Sequence, residues 1–466
     1  MPYEGQFASK SAHSDFLRNP DIKDFLGECE YLTPPSDAEA QNMADRFSEP
    51  PQTEAKLPSF VVAVDGSNYE SSLDDKLPST KVGYVQIGAL LIDLGEFGSL
   101  RVGKFVDPFK VAELQDENSA LTFSMPSANI KWGGKTNVRD SFRAALDQQF
   151  SGVRTRFSEN DPLTSLRSTL FHLASLRPGK LGTGDPHRLR IHKCPTCGGG
   201  SDEGILLEDV PNQQKCPYCG ADVYPTDCLR IWEEVNDYQS NQIAISRLML
   251  VLEQLIPLHY MRFFYKNAPL LLSEMAFFVD GPLAVFGTPA WMHRSTMIFL
   301  QEVNRKLAKH GQPPLTIIGL QKTGQVVDHV TLIDRYIPNN RILAIDDDYR
   351  YKFILSGRDP SGNGFGFETY YGQDFIYKTP NGRTFVFALP YPYASKDAPG
   401  VDFIREKVKF ENYPQLPQAL KLITYLESDL YENAVVPIAL AHRFTAISFR
   451  PGGRVLDLLT RTLLKR

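Results

Sequence analysis

The chain has 466 residues, a net charge of −5 and ordinary apolar and charged fractions, which leave room for two or three globular domains and exclude a protein that coats nucleic acid by bulk positive charge. Four of its six cysteines form two Cys-x-x-Cys pairs, which suits a reducing compartment and a metal site rather than a disulfide framework. No secretory signal is visible at the N-terminus, and no apolar stretch stands out as a membrane span, so a cytoplasmic protein without a membrane partner is expected.

Residues 1–58 are polar, with Pro34-Pro35 and Pro50-Pro51, and read as a partly helical, loosely packed arm. Phe60 to Val64 is then a short apolar, mostly β-branched run, the pattern of a strand buried on both faces. It delivers Asp65 to its end, where Gly66-Ser67 is expected to turn the chain. A second strand over 81–94 and a third over 100–106, joined by a hairpin turn at 95–98, would complete the opening of a ribonuclease-H-like fold. Trp132-Gly133-Gly134-Lys135-Thr136 has the end of a phosphate-binding loop. Asn129 stands where that motif needs its first glycine, and no clear strand precedes it.

Two helices are expected over 140–150 and 163–176. They lead to Cys194-Pro-Thr-Cys197-Gly and, eighteen residues on, Cys216-Pro-Tyr-Cys219-Gly. Two such knuckles supply four thiolates for a tetrahedral structural Zn²⁺, and because no coordination position is left open the ion would not be catalytic. Residues 190–228 thus read as an inserted zinc ribbon; paired reduced thiols or redox cysteines are the other reading. The basic residues Arg188, Arg190, His192 and Lys193 beside it fit a phosphate backbone or a plain solvated face.

One long helix is expected from Leu229 to Ile256, ended by Pro257. Glu253 sits on or beside its apolar stripe, either at the edge pairing with Arg247 or buried toward a metal. Strand 275–279 repeats the first pattern, ending Val279-Asp280-Gly281-Pro282. Two strands aiming carboxylates at one point suit a hard divalent cation, whereas either Asp alone could simply open a turn. Helix 291–310, strand 315–320, helix 327–337 and strand 341–345 follow, an alternation that implies parallel strands beside the opening meander. Asp346-Asp347-Asp348 reads as a plain acidic turn or as spare carboxylates near the same sheet edge, and Lys322, just past a strand, as ordinary surface or a phosphate contact. Residues 365–371, 375–377 and 384–389 read as an antiparallel set, turning at Asn381-Gly382. Residues 400–466 carry two or three helices and end in a basic tail. In the helix over 437–449, His442 faces small residues and is either a core histidine or a general acid/base. The fold class is therefore α/β: a mixed sheet flanked by helices, with an inserted ribbon.

With Val64-Asp65-Gly66-Ser67, the Glu253 helix, Val279-Asp280-Gly281-Pro282-Leu283 and Ala441-His442 appearing in this order, the chain resembles the NurA nuclease family over residues 58–450. The resemblance implies a ribonuclease-H-like nuclease domain over 59–450 and a Mn²⁺- or Mg²⁺-dependent deoxyribonuclease of 5′-3′ exonuclease and single-strand endonuclease type. It further implies a homodimer, a HerA-type hexameric ATPase as partner, and work in DNA end processing or anti-phage defence. By motif position Asp65, Glu253 and Asp280 would be the metal ligands and, with His442, the catalytic set. The ribbon is a departure from the family pattern. It leaves Glu233, Glu234 and Glu274 as alternatives to Glu253. A non-catalytic module that binds nucleic acid or assembles through its zinc ribbon is the competing reading.

Overall fold

Val61, Val62, Ala63 and Val64 are at most 5% exposed because their strand has a helix on each face. The computed structural model describes residues 18–29, 33–51, 54–74, 76–99, 101–102, 105–106, 120–200, 202–355, 364–427 and 435–445. Eight strands form its central sheet: β1 (Phe60–Asp74), β2 (Leu77–Asp93), β3 (Leu121–Pro126), β4 (Met275–Asp280), β5 (Thr316–Gln321), β6 (Arg341–Ala344), β7 (Gly372–Lys378) and β8 (Thr384–Pro390). Their spatial order is β6-β7-β8-β5-β4-β1-β2-β3. The helices used below are α1 (Val138–Phe150), α2 (Leu166–Ser175), α3 (Gln242–Asn267), α4 (Met292–Ala308), α5 (Gln325–Ile333), α6 (Leu416–Leu426) and α7 (Val436–Thr445).

Strand alternation sorts β1 between two cores. Val62 and Val64 pack toward α3, and Val61 and Ala63 toward α6 and α7. β1 does not stop at Asp65, as the sequence suggested. It continues to Asp74 in a long antiparallel hairpin with β2, closed at the Asp74↔Leu77 pair. What ends there is the parallel pairing with β4, whose last rung is Val64↔Val279. The expected turn at 95–98 is instead a short helix, Leu94–Ser99, begun where Asp93 Oδ1 accepts from the Gly95 and Glu96 amides. The third sheet strand is consequently β3, while 101–102 and 105–106 make a small separate ribbon.

The helix expected from Leu229 begins only at Gln242. Two 3₁₀ turns precede it, separated by Arg230 in the left-handed region. Nor does Pro257 end it. Proline removes the amide that would bond the Glu253 carbonyl, but the flanking residues are buried and tertiary packing carries the helix on to Asn267. α3 is long and apolar enough to cross a membrane, yet 67% of its most apolar window is buried inside the protein, so here it is a core helix.

β4 and β5 lie parallel beside β1, as the alternation implies. β6 departs from that expectation by crossing to the far edge, where it pairs antiparallel with β7. The β7–β8 hairpin turns at Asn381-Gly382, with Gly382 at φ +89°. Residues 365–371 contribute a single bridge, Tyr370 to Ala284, rather than a strand. Part of the N-terminal arm is packed: Ala40, Met43, Ala44 and Phe47 are buried against α5 and the β6–β8 side of the sheet.

Candidate functional site

Parity along three parallel strands decides which side chains meet. On β1 the α7-facing series Val61, Ala63 continues to Asp65; on β4 Ala276, Phe278 continues to Asp280; on β5 Ile318, Leu320 continues to Lys322. The carboxyl ends of these strands therefore present two carboxylates and one ammonium on one face. Lys322 Nζ lies 2.8 Å from Asp280 Oδ2 and 3.3 Å from Asp65 Oδ1. Of the two readings of Lys322, ordinary surface does not hold, because its ammonium is paired with both aspartates. Lys322 stands two residues past Leu320, so the same parity that buries Leu320 turns the ammonium inward.

α7 supplies the other partners of Asp65. Thr445 Oγ1 donates to Asp65 Oδ2 at 2.8 Å, and His442 Nδ1 is 3.1 Å from the same oxygen. Asp65 is 1% exposed, whereas the His442 side chain is 60% exposed. His442 is therefore no core histidine: one nitrogen is tied to Asp65 while the ring stays open to solvent. Thr445 had no signal of its own, since a threonine three residues after a histidine is unremarkable until the helix is docked. The rest of the helix once expected over 437–449, like the basic tail, lies outside the described residues.

Glu253 reaches this cluster from the opposite face. α3 crosses β1 at Gly66, where an added Cβ would lie 2.9 Å from Glu253 Oε1 and 2.7 Å from Ile87 Cδ1. Gly66 therefore serves close approach rather than a turn; the turn belongs to Gly281, at φ +84°. Burial, then Asp280 and Asp65, push the Glu253 carboxyl up to about 8, against the Gly66 backbone hydrogen bond and Lys322. Asp280 is raised to about 6, by burial first and by its contact with Asp65, with Lys322 opposing. Lys322 is itself raised, because the two aspartates outweigh its burial. Glu253 and Asp280 also share a cleft of about 80 Å³.

The alternatives to Glu253 are engaged elsewhere. Glu233 binds Arg230, Glu234 binds Arg247, and Glu274 binds Ser59 at the opposite end of β4. Asp346 caps a short helix through the Tyr349 amide, Asp347 pairs with Lys407 and Asp348 with Arg46, so the acidic run is structural. Contrary to the expectation, a strand, β3, does precede the loop of Lys135, but Asn129 occupies the first-glycine position and Lys135 is paired with Asp222 at 2.6 Å, both of which argue against the phosphate-loop reading. Three carboxylates, the donor chemistry a hard divalent cation takes, converge on Lys322 as the resident positive charge, but among the described residues only the four cysteines lie close enough together to form a ready metal cluster.

A second cluster is local. The sulfurs of Cys194, Cys197, Cys216 and Cys219 all lie within 4.8 Å of one another and could hold a metal ion. Two small hairpins carry the pairs, Arg188–Ile191 with Ile205–Glu208 and Gln214–Lys215 with Asp222–Val223. The amides of Thr196, Gly199 and Tyr218 point at sulfurs from 3.3 to 3.4 Å, the arrangement that stabilises thiolates. Gly198 and Gly220, at φ +68° and +74°, close the knuckles. Cys228 is buried and Cys29 exposed, both outside the cluster.

The NurA domain family matches residues 60–447. The chain belongs to the NurA family. Among solved structures it is similar to the NurA nuclease from Sulfolobus solfataricus, with 9% identity over 98% of both chains and a TM-score of 0.33. It is also similar to a second NurA, with 11% identity over 97% of this chain and 98% of that one and a TM-score of 0.26. A NurA with manganese shares 13% identity over 98% of both chains, with a TM-score of 0.23. No curated protein matches the chain. Within the matched span, Lys322 pairs with Asp65 and Asp280, Glu253 is buried near both, and His442 lies against Asp65.

Proposed function

We propose that this NurA-family chain is a cytoplasmic, divalent-metal-dependent nuclease that hydrolyses phosphodiester bonds in DNA. The observation that carries the reading is the shared ammonium: Asp65 and Asp280, 215 residues apart, both bind Lys322 while Glu253 is buried beside them. The strand order β3-β2-β1-β4-β5, with β2 antiparallel, supports a ribonuclease-H-like core.

Asp65, Asp280 and Glu253 would hold Mn²⁺ or Mg²⁺. Such an ion supplies the Lewis acidity that activates water and neutralises charge on the leaving 3′-oxygen. The chain's own residues do the remainder. Glu253, protonated while the cluster holds only Lys322, gives up its proton as more positive charge arrives. Asp65 fixes the His442 ring through Nδ1, leaving the solvent-facing nitrogen to donate a proton as the P–O3′ bond breaks. Thr445 donates to the same Asp65 oxygen, Oδ2, and holds it in place. The four cysteines would hold a structural Zn²⁺.

In the same reading the enzyme has 5′-3′ exonuclease and single-strand endonuclease activity. It works as a homodimer with a HerA-type hexameric ATPase, in end processing or anti-phage defence. The test is to incubate the protein with labelled single-stranded DNA and Mn²⁺, with and without EDTA, beside Asp65→Asn and Asp280→Asn. Metal-dependent cleavage lost in both variants is expected. Cleavage retained in both, or none by the wild type, would leave the zinc-ribbon binding module as the better description.

A further inference from the structure

A second cleft, of about 500 Å³, lies between the cysteine-bearing insertion and the start of α4. Arg177 and His192 line it before the cysteine knuckles close, Arg230 after them, and Trp291 and Arg294 face them from the other side. Three arginines, Arg177, Arg230 and Arg294, line it against one carboxylate, Glu368, and they differ in how far the fold neutralises them. The Arg177 guanidinium lies 5.1 Å from the centre of the Trp291 ring, and among the described residues its side chain has no ion pair or hydrogen bond. Trp291 is pinned beneath it, its Nε1 donating to the Cys228 carbonyl at 3.0 Å. Burial and the nearby Arg230 both disfavour the Arg177 charge. Arg294 has only long pairs, 3.6 Å to Asp397 and 3.9 Å to Glu368, both solvent-exposed carboxylates that a competing anion displaces at little cost. Arg230 alone is fully committed, with both Glu233 oxygens at 2.8 Å.

The cleft also has a definite place in the fold. Gly281 to Phe286 line the smaller cleft that contains Glu253 and Asp280, and Thr288 to Trp291 line this one, so successive parts of one loop separate the two clefts. At its crest Phe286 is 40% exposed, and Gly287, at φ +78°, lies against the Arg247 guanidinium. A planar guanidinium held on an aromatic ring, partly desolvated and without a counter-ion, is well matched to phosphate oxygens.

We infer that this cleft is a phosphate-holding subsite for a nucleic-acid strand that runs over the 281–291 loop from the carboxylate cluster, with Arg177 and Arg294 taking the phosphates and the insertion forming its far wall. The inference rests on the nuclease reading for its ligand, not for its measurement, because binding is read without cleavage.

The experiment measures anisotropy of a labelled single-stranded oligonucleotide with the full, zinc-loaded chain over a salt series, without added divalent metal. Each phosphate contact on a single strand contributes about 0.7 to the slope of log K against log salt. The double variant Arg177→Gln/Arg294→Gln is expected to lower that slope by about 1.4 and to weaken binding about tenfold at moderate salt. Arg177→Lys with Arg294→Lys retains the slope. Zinc content and Tm establish that the variants fold, and Mn²⁺-dependent hydrolysis of bis-p-nitrophenyl phosphate, which needs no second subsite, stays at the wild-type rate. A double variant with wild-type affinity and slope overturns the subsite. So does Arg177-dependent binding of inorganic phosphate, read by ³¹P NMR, with an unchanged slope for DNA, since the cleft is then a free-anion pocket. A wild type that never cleaves DNA but shows the Arg-dependent slope removes the nuclease reading and keeps the subsite.

Discussion

The cysteine cluster, which could hold a metal ion, and the carboxylate cluster, proposed to hold another, are built in opposite ways. Four sulfurs come from Cys194 to Cys219, brought together by two tight turns whose glycines and amides are written into the same few residues. The carboxylate cluster gathers Asp65, Glu253, Asp280, Lys322, His442 and Thr445 from three strands and two helices on both faces of a sheet. One centre is complete within a short stretch of chain; the other exists only once the whole sheet has formed. The carboxylate cluster also carries its own counter-charge in Lys322, whereas the sulfurs are met by backbone amides and by one another. Losing an ion should accordingly unfold the first centre and leave the second standing.

The largest effect is expected at the cysteines. Structural zinc contributes apparent binding free energy on the order of 10 kcal/mol to a small site of this kind. Metal analysis of the wild type should find one zinc per chain, and Cys194→Ser or Cys216→Ser should abolish it and make residues 190–228 protease-sensitive, while most helical signal in circular dichroism persists. Next come Asp65→Asn and Asp280→Asn, which should lower the cleavage rate on the order of a thousandfold, about 4 kcal/mol on the barrier, with little change in zinc content. Should either Asp variant also lose zinc, the two centres are not independent and the comparison fails.

Lys322→Met separates resident charge from metal. Two neighbouring carboxylates lose their ammonium, at a cost of about 3 kcal/mol in the metal-free protein. Its Tm should fall, and millimolar Mn²⁺ should raise it by more than it raises the wild type. His442→Ala should slow cleavage about a hundredfold while moving Tm little, since the ring is largely exposed. The last test probes the body that supports both centres, where the effect builds up only gradually with pH. His259 is buried under Phe157, between Thr169 Oγ1 at 2.7 Å and the Thr155 carbonyl at 3.0 Å. Burial, then Arg262, push its pKa down to about 3. Below about 6.5 the unfolded chain binds a proton that the folded chain excludes, so stability falls as pH drops toward 3, by about 1.4 kcal/mol per pH unit. Urea unfolding at stepped pH should show that slope reduced in His259→Gln.

Sequence pattern exposed the parts that depend on neighbours along the chain. The Cys-x-x-Cys spacing was sufficient for the knuckles, the apolar runs for β1, β4 and β5, and Asn381-Gly382 for the last hairpin. It misplaced the elements that packing overrides. Asp65-Gly66 reads as a turn until α3 is seen to need that glycine for its approach. Pro257 reads as a stop until tertiary contacts are seen to carry the helix past it. Lys322 reads as surface or a phosphate contact until strand parity is combined with the sheet order.

The sequence by itself determined which residues could ligate a metal and that two apolar strands end in aspartate, because residue chemistry and alternation are local properties. Only the tertiary structure decided that Glu253, rather than three competing glutamates, joins them, that Lys322 lies between them, and that His442 faces solvent. Those outcomes depend on which strands become neighbours and which helices cover them, and that is set by burial over the whole sheet rather than by any single motif.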